Sequence, residues 1–240
     1  MPGFESSSAA VIPPTNVGAT WLQNVNNSFV NRSLSANPAV PFPDHGPMLG
    51  VSILPTDLFY VTAGASNAYS QTIRAEIDSL FSRWNIFAFG EVGFTPTFKG
   101  LGEGRYSVGL WHMDARANLG LPEDYGMTVI LDQNIGDKLQ VFARYAYSDG
   151  TLTKVRQTAQ TGLGLRAFCG RKDDLTGAAF SFSTPRSRAS RKETVLEFFH
   201  RFQVTKYNQL SVGVQVIANP GNARDNDTAG VFYARWRLSF

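Results

Sequence analysis

The chain has 240 residues, with 22 Lys plus Arg against 19 Asp plus Glu and a formal net charge of +3, too near neutral to mark a nucleic-acid partner. Charged residues make up 17% and aromatics 12%, against roughly 25% charged in ordinary soluble domains, a balance that argues against a disordered chain. The lone Cys169 excludes an intramolecular disulfide or a multi-cysteine zinc cage, and no stretch approaches the ~20 apolar residues of a membrane-spanning helix, which leaves the β-barrel as the membrane option.

Residues 1–14 show neither the basic start nor the apolar run of a secretory signal, so as written the chain carries no visible export address. Residues 1–46 are rich in Pro, Ser, Asn and Ala and read as an irregular segment. Trp21, Leu22, Val25 and Phe29 fall at i, i+1, i+4 and i+8 and predict one short helix there. Pro38, Pro41, Pro43 and Pro47 prevent a long regular element.

Residues 47–240 read as a succession of strands, at about 48–54, 57–64, 86–96, 105–114, 126–135, 138–148, 160–169, 176–183, 192–203, 207–217 and 228–240. Several have about ten residues, close to the 9–11 that cross a bilayer when tilted. Alternation is clearest near the end of the chain. Phe232, Ala234, Trp236, Leu238 and Phe240 share one face, and Tyr233, Arg235, Arg237 and Ser239 the other. Leu210, Val212, Val214 and Val216 oppose Gln209, Ser211, Gly213 and Gln215. Leu139, Val141, Ala143, Tyr145 and Tyr147 oppose Gln140, Phe142, Arg144 and Ser148. Connections alternate long and short, as in outer-membrane barrels with short periplasmic turns and longer outer loops, and a soluble sandwich has no reason to keep that rhythm. The longest spans 66–85, within which Ile73, Ile77, Leu80 and Phe81 predict a small helix over 71–84.

Four stretches carry a resemblance. They are Asp132-Gln133-Asn134-Ile135-Gly136 leading to Val141-Phe142-Ala143-Arg144-Tyr145; Gly162-Leu163-Gly164 through Asp173-Asp174-Leu175-Thr176-Gly177; Glu193 with Glu197-Phe198-Phe199 and Phe202-Gln203-Val204-Thr205; and Val214 to Gly221, closing on Arg235, Arg237 and Phe240. In order and spacing they resemble the carbohydrate-selective porins of the OprB type, from about Asn27 to Phe240. The resemblance implies an all-β, antiparallel up-and-down outer-membrane β-barrel of roughly sixteen strands. About eleven are read here, so the chain is expected to be a partial barrel, the carboxyl-terminal portion of such a porin without signal sequence and amino-terminal strands. An open wall leaves two unpaired edges, so a fragment that conducts nothing alone is part of the expectation.

The implied activity is facilitated diffusion of mono- or oligosaccharides across the bacterial outer membrane, with no enzyme chemistry and no cofactor. A sugar passage needs donors and acceptors together, plus aromatic faces for the apolar side of the ring. Arg offers a planar fork, and carboxylates accept from paired hydroxyls. Strand parity places Arg144, Arg166, Arg235 and Arg237 inward beside Gln140, Gln209 and Gln215. Glu193, Glu197 and Arg201 share one face, Glu91 and Trp111 hold inward positions of earlier strands, and Asp132 and Asn134 share a face near a tight turn. The same polarity also serves simply to keep a water-filled wall wet. Trp236, Phe240, Tyr145, Tyr147, Phe198 and Phe202 suit interface girdles, or ordinary core packing in a soluble fold.

The remaining signals are weak. His45, His112 and His200 are too scattered for a metal site, and Asn26-Asn27-Ser28 and Asn226-Asp227-Thr228 match a glycosylation triplet that means little in a bacterial envelope protein. Glu193 and Glu197, four residues apart on one strand face, lie roughly 13 Å apart, beyond the ~5–9.5 Å of a glycosidase pair. Arg186, Arg188, Arg191 and Lys192 read as a solvated loop or as a contact to lipopolysaccharide phosphates. The other expected partners are outer-membrane lipid, the barrel-assembly machinery through the terminal Phe240, and further copies of the chain; nucleic acid is not among them. The alternative is a soluble or peripheral all-β sandwich that binds sugars or a partner protein.

Overall fold

The computed structural model describes residues 28–41, 43, 47–68, 82, 84–168, 170–221 and 225–239. The expected helices over 21–29 and 71–84 fall wholly or mostly outside these residues, as do Phe240 and Cys169. The strands are β1 Met48–Thr56, β2 Phe59–Asn67, β3 Ile86–Phe94, β4 Thr97–Phe98, β5 Gly102–Met113, β6 Asp124–Ile135, β7 Leu139–Ser148, β8 Val155–Arg166, β9 Leu175–Pro185, β10 Glu193–Gln203, β11 Asn208–Ala218 and β12 Thr228–Leu238. They form one antiparallel sheet in strict sequence order. The two-residue β4 pairs only with β5, so eleven strands lie on the continuous path. Among the described residues β1 and β12 do not pair with each other, and the sheet is an open up-and-down wall.

The alternation of the sequence sets the two faces. In β12, Phe232, Trp236 and Leu238 are exposed, with Phe232 at 85%, while Tyr233, Arg235 and Arg237 on the other face are half-buried. The exposed face continues through Val212 and Val216 of β11, Leu196 and Phe198 of β10, Leu163 of β8, Leu131 of β6, Val108 and Leu110 of β5, and Val51 and Ile53 of β1. A soluble sheet would cover such a row with a second layer. Here the covered residues, Glu197, Glu91, Arg144, Gln140 and Gln160 among them, lie on the opposite face. Outward aromatics gather toward the strand ends. Phe59 stacks on Phe94 at 4.9 Å, Phe94 and Phe98 each lie 6.4 Å from Tyr106, and Tyr125, Tyr145 and Tyr147 stand near the other end. Tyr145, Phe198 and Trp236 of the expected girdle set are exposed on that outer face.

The connections at one end are 57–58, 95–101, 136–138, 167–174 and 204–207; at the other end they are 68–85, 114–123, 149–154, 186–192 and 219–227. The long–short rhythm is weaker than expected. β8 begins at Val155, five residues before the expected 160, which shortens its preceding loop. Val155-Arg156-Gln157 lack apolar alternation, and a bulge between Val155 and Gln157 marks the site. The connection over 98–104 is a small hairpin, with Thr97 opposite Glu103 and Phe98 opposite Gly102. Gly136, at φ 62°, makes the tight link from β6 to β7 in a conformation that costs other residues more.

Candidate functional site

Residues 28–41 lie on the covered face of the sheet, and a short helical turn, α1 (Arg32–Ser35), interrupts them. The Asn31 side chain accepts from the Ser33 amide at 2.9 Å and so caps the turn. This strap touches the wall from one side to the other. The Arg235 guanidinium of β12 donates to the Ser28 carbonyl at 2.7 Å. Val30 and Asn31 donate their backbone N–H groups to the two carboxylate oxygens of Glu197 in β10, at 2.7 and 2.9 Å. Arg144 of β7 donates to the Leu34 carbonyl at 2.7 Å, and Gln160 of β8 to the Ala36 carbonyl at 3.1 Å. Ala39 and Val40 then pack with Phe87, Phe89, Trp111 and Met113 from β3 and β5. On the sheet path β3 and β12 are eight steps of ~4.8 Å apart, roughly 38 Å if flat. Thirteen residues with a helical turn among them reach about 35 Å at most, so the strap is stretched across most of that width, with the long Arg235 side chain closing the last part.

Glu197 is the centre of this arrangement. It is fully buried and accepts two further bonds, from the Tyr233 hydroxyl at 2.7 Å and from Gln215 at 3.3 Å. Gln215 in turn accepts from the Asn31 side-chain amide at 3.1 Å. Four donors compensate the desolvation of one carboxylate. Phe29 is the apolar half of the anchor. It is fully buried, with its ring edge-on to Phe199 at 5.0 Å and to Phe142 at 6.1 Å. Two glycines make room. A Cβ on Gly177 would lie 2.4 Å from the Phe199 ring, and one on Gly213 the same distance from the Tyr233 ring.

Toward the short-turn end the inner face carries two open polar cavities. One, of about 470 Å³, is lined by residues that include Arg105, Asp132, Asn134 and Gln140; Arg105 and Asp132 are paired at 2.8 Å. Nearby, the Tyr60 hydroxyl donates to the buried Glu91 at 2.6 Å. The other cavity, of about 580 Å³, is lined in part by Arg166, Arg201, Lys172 and Lys206. At the opposite end the buried Asp124 accepts from Ser148 Oγ and from the amides of Gly150 and Leu152, at 2.7 to 3.1 Å. This draws loop 149–154 over the apolar cluster, where Leu152 packs.

All ten side chains expected to line a passage lie on the inner face by register. The structure divides them. Glu197, Gln215, Arg144 and Arg235 hold the strap. Arg166 and Arg201 line the open cavity with Arg237 close by in register, and Glu91 sits deeper in the wall. Glu193 stands at the far end and accepts from the Gly221 amide at 2.7 Å. Trp111 is inward but belongs to an apolar cluster, stacked 6.2 Å from Phe87. The basic run is tied to neighbouring loops. Arg186 donates to the Ser148 and Asp149 carbonyls at 2.9 Å, and Arg191 pairs with Asp227. The strap itself went unforeseen, because the groups it offers the wall are mostly main-chain ones.

An antiparallel wall of tilt-length strands, apolar and uncovered outside and polar inside, has the architecture of the wall of a membrane β-barrel. The carbohydrate-selective porin, OprB family, matches residues 113–240, more than half of the sequence, and the chain belongs to that family. It is 25% identical over 234 residues to Porin AaxA of Chlamydia abortus, covering 92% of this chain and 51% of that protein. With Porin AaxA of Chlamydia caviae the identity is 27% over 219 residues, covering 86% and 47%. The chain thus spans about half the length of the curated relatives it matches. A structure of Pseudomonas putida OprB at high pH superposes with a TM-score of 0.65 at 20% identity, covering 90% of this chain and 62% of that one. The low-pH structure gives 0.58 at 22%, covering 88% and 60%. Both likenesses are in the fold.

Proposed function

We propose that the chain forms the wall of a bacterial outer-membrane channel that passes carbohydrates by facilitated diffusion. The observation that carries this reading is the division of faces. Leu, Val and Phe rows stand uncovered outside, and Arg, Glu and Gln stand inside. An Arg turned to lipid at mid-strand would cost roughly 2–4 kcal/mol. The strap narrows the space along the inner face, held by Glu197, Arg144, Gln160 and Arg235. Sugar hydroxyls then meet mixed donors and acceptors, bound weakly enough to leave. Outer-membrane lipid covers the apolar face, lipopolysaccharide phosphates meet the outer loops near Arg188 and Lys192, and the barrel-assembly machinery reads the end of β12. The edges of β1 and β12, unpaired among the described residues, favour a second reading, a wall that conducts only once those edges are paired. Swelling of liposomes that hold the purified, heat-modifiable protein tests the proposal. Swelling in glucose supports the channel; heat-modifiable protein without swelling supports the second reading. A chain soluble without detergent overturns both and favours the sandwich.

A further inference from the structure

We propose that the inner face at the short-turn end is a binding site for an anionic group, the carboxylate or phosphate of a small solute such as a sugar acid or sugar phosphate. The inference rests on reading this face as the lining of a passage, and it adds a charged class of solute to the neutral one. Its basis is a row of arginines fixed by register. Arg166 of β8 lies opposite Leu175 of β9, and Leu175 opposite Arg201 of β10; Arg201 lies opposite Ser211 of β11, and Ser211 opposite Arg235 of β12. An arginine therefore recurs on every second strand of one row, at a backbone spacing of about 10 Å; Arg235 is committed to the Ser28 carbonyl of the strap, and Arg166 and Arg201 are the members of the row that line the cavity. Arg237 follows on the same face, opposite Gln209.

Two turns complete the site. Lys172 comes from the 167–174 connection and Lys206 from the 204–207 connection, and both line the cavity of about 580 Å³ with Arg166 and Arg201. That volume falls within the range of small-molecule sites. Among the described lining residues these four cations face one carboxylate, Asp173. The adjacent Asp174 is buried, acts on the Arg201 charge and is engaged by other groups as well. It pairs with Arg171 at 2.9 Å and accepts the Gln203 amide at 2.9 Å. Guanidinium forks match carboxylate and phosphate oxygens, and the two lysines add point charges. Gln203 and Thr205 line the same cavity and offer polar groups to sugar hydroxyls. The strap region differs in kind, for there the wall charges meet main-chain groups and a buried carboxylate.

The test is calorimetric titration of the full chain in detergent micelles at low ionic strength, with inorganic phosphate, glucuronate and glucose as separate titrants. Saturable, mutually competitive binding of phosphate and glucuronate is expected, with no competition from equimolar glucose. The double variant Arg166→Gln/Lys206→Gln changes two exposed side chains and is expected to weaken both anions roughly tenfold, with heat modifiability unchanged. Tighter glucuronate than phosphate adds the hydroxyl contacts; equal affinities assign the site to the anion alone. Absence of saturable anion binding in the millimolar range, or wild-type affinity in the double variant, overturns the proposal. Binding in micelles needs no conduction, so a failure of sugar flux in liposomes strikes the channel reading and leaves this result to stand by itself.

Discussion

The Tyr233 hydroxyl reaches the Glu197 carboxylate at 2.7 Å because its cross-strand neighbour is Gly213, the position where a Cβ would meet the ring at 2.4 Å. A gap in β11 thus lets a tyrosine on β12 brace an acid on β10, and that acid holds the strap. Gly213→Ala is expected to push Tyr233 off Glu197 and loosen the strap. The check is hydrogen exchange at Val30 and Asn31, which should quicken in the variant, while Gly230→Ala, where a Cβ meets open space, should leave it unchanged.

Glu197→Ala removes the acceptor of four donors at once. Each buried donor left unmatched costs about 1–3 kcal/mol, and more where the lost acceptor was charged. The thermal transition of the detergent-folded protein should fall, and the sugar-dependent block of single-channel current should change. Arg235→Ala, which frees the Ser28 carbonyl, should change it in the same direction but less. Unaltered sugar block in both variants would show that the strap lies off the solute path.

Phe29→Ala empties the space between Phe142 and Phe199. A truncation of this size costs about 3–5 kcal/mol in a packed core, although an open face can relax around the gap. Increased proteolysis within the strap, with the strands intact, is the expected signature.

Two positions on opposite faces of β11 should answer unequally to the same charge. Val212→Arg sets a guanidinium among the outward aliphatic side chains and should cost roughly 2–4 kcal/mol of folding into lipid vesicles. Gly213 aside, the inward Gln209→Arg should cost much less. Equal effects in a vesicle-folding titration would mean that the two faces do not meet different media.

The Asp149 loop has its own pH dependence. The hydroxyls of Tyr147 and Tyr125 donate to its two carboxylate oxygens at 2.7 Å each and hold its pKa below the usual carboxylate value. The ionised form is the one bound, so this tether is present above the ordinary carboxylate range and is lost as pH falls through the depressed value. Protease cleavage in 149–154 should rise at acid pH, and Asp149→Asn should abolish that rise.

The strands could be read from the sequence because a period of two records which side chains share a medium. Leu210, Val212, Val214 and Val216 announce their face at once. β8 was harder to place, since Val155-Arg156-Gln157 carry no such alternation. Parity and register both put Trp111 on the inner face, but its neighbours Phe87 and Phe89 make that patch apolar, which parity alone does not say. Glu197 stood out as an inward acid, yet its partners are the amides of Val30 and Asn31, and amides are the same in every residue. Phe29 lies outside the helical turn as the anchor of the strap, and the rest of the helix expected over 21–29 lies outside the described residues.

That anonymity of the backbone contacts has a further effect. Ser28, Val30, Leu34 and Ala36 are gripped by groups their side chains do not supply, whereas Val30 and Arg32 leave their own side chains exposed. Substitution at those two positions can therefore change the size and charge that the strap presents while the moorings stay intact, so that its open side is free to drift on a scaffold that does not have to be rebuilt.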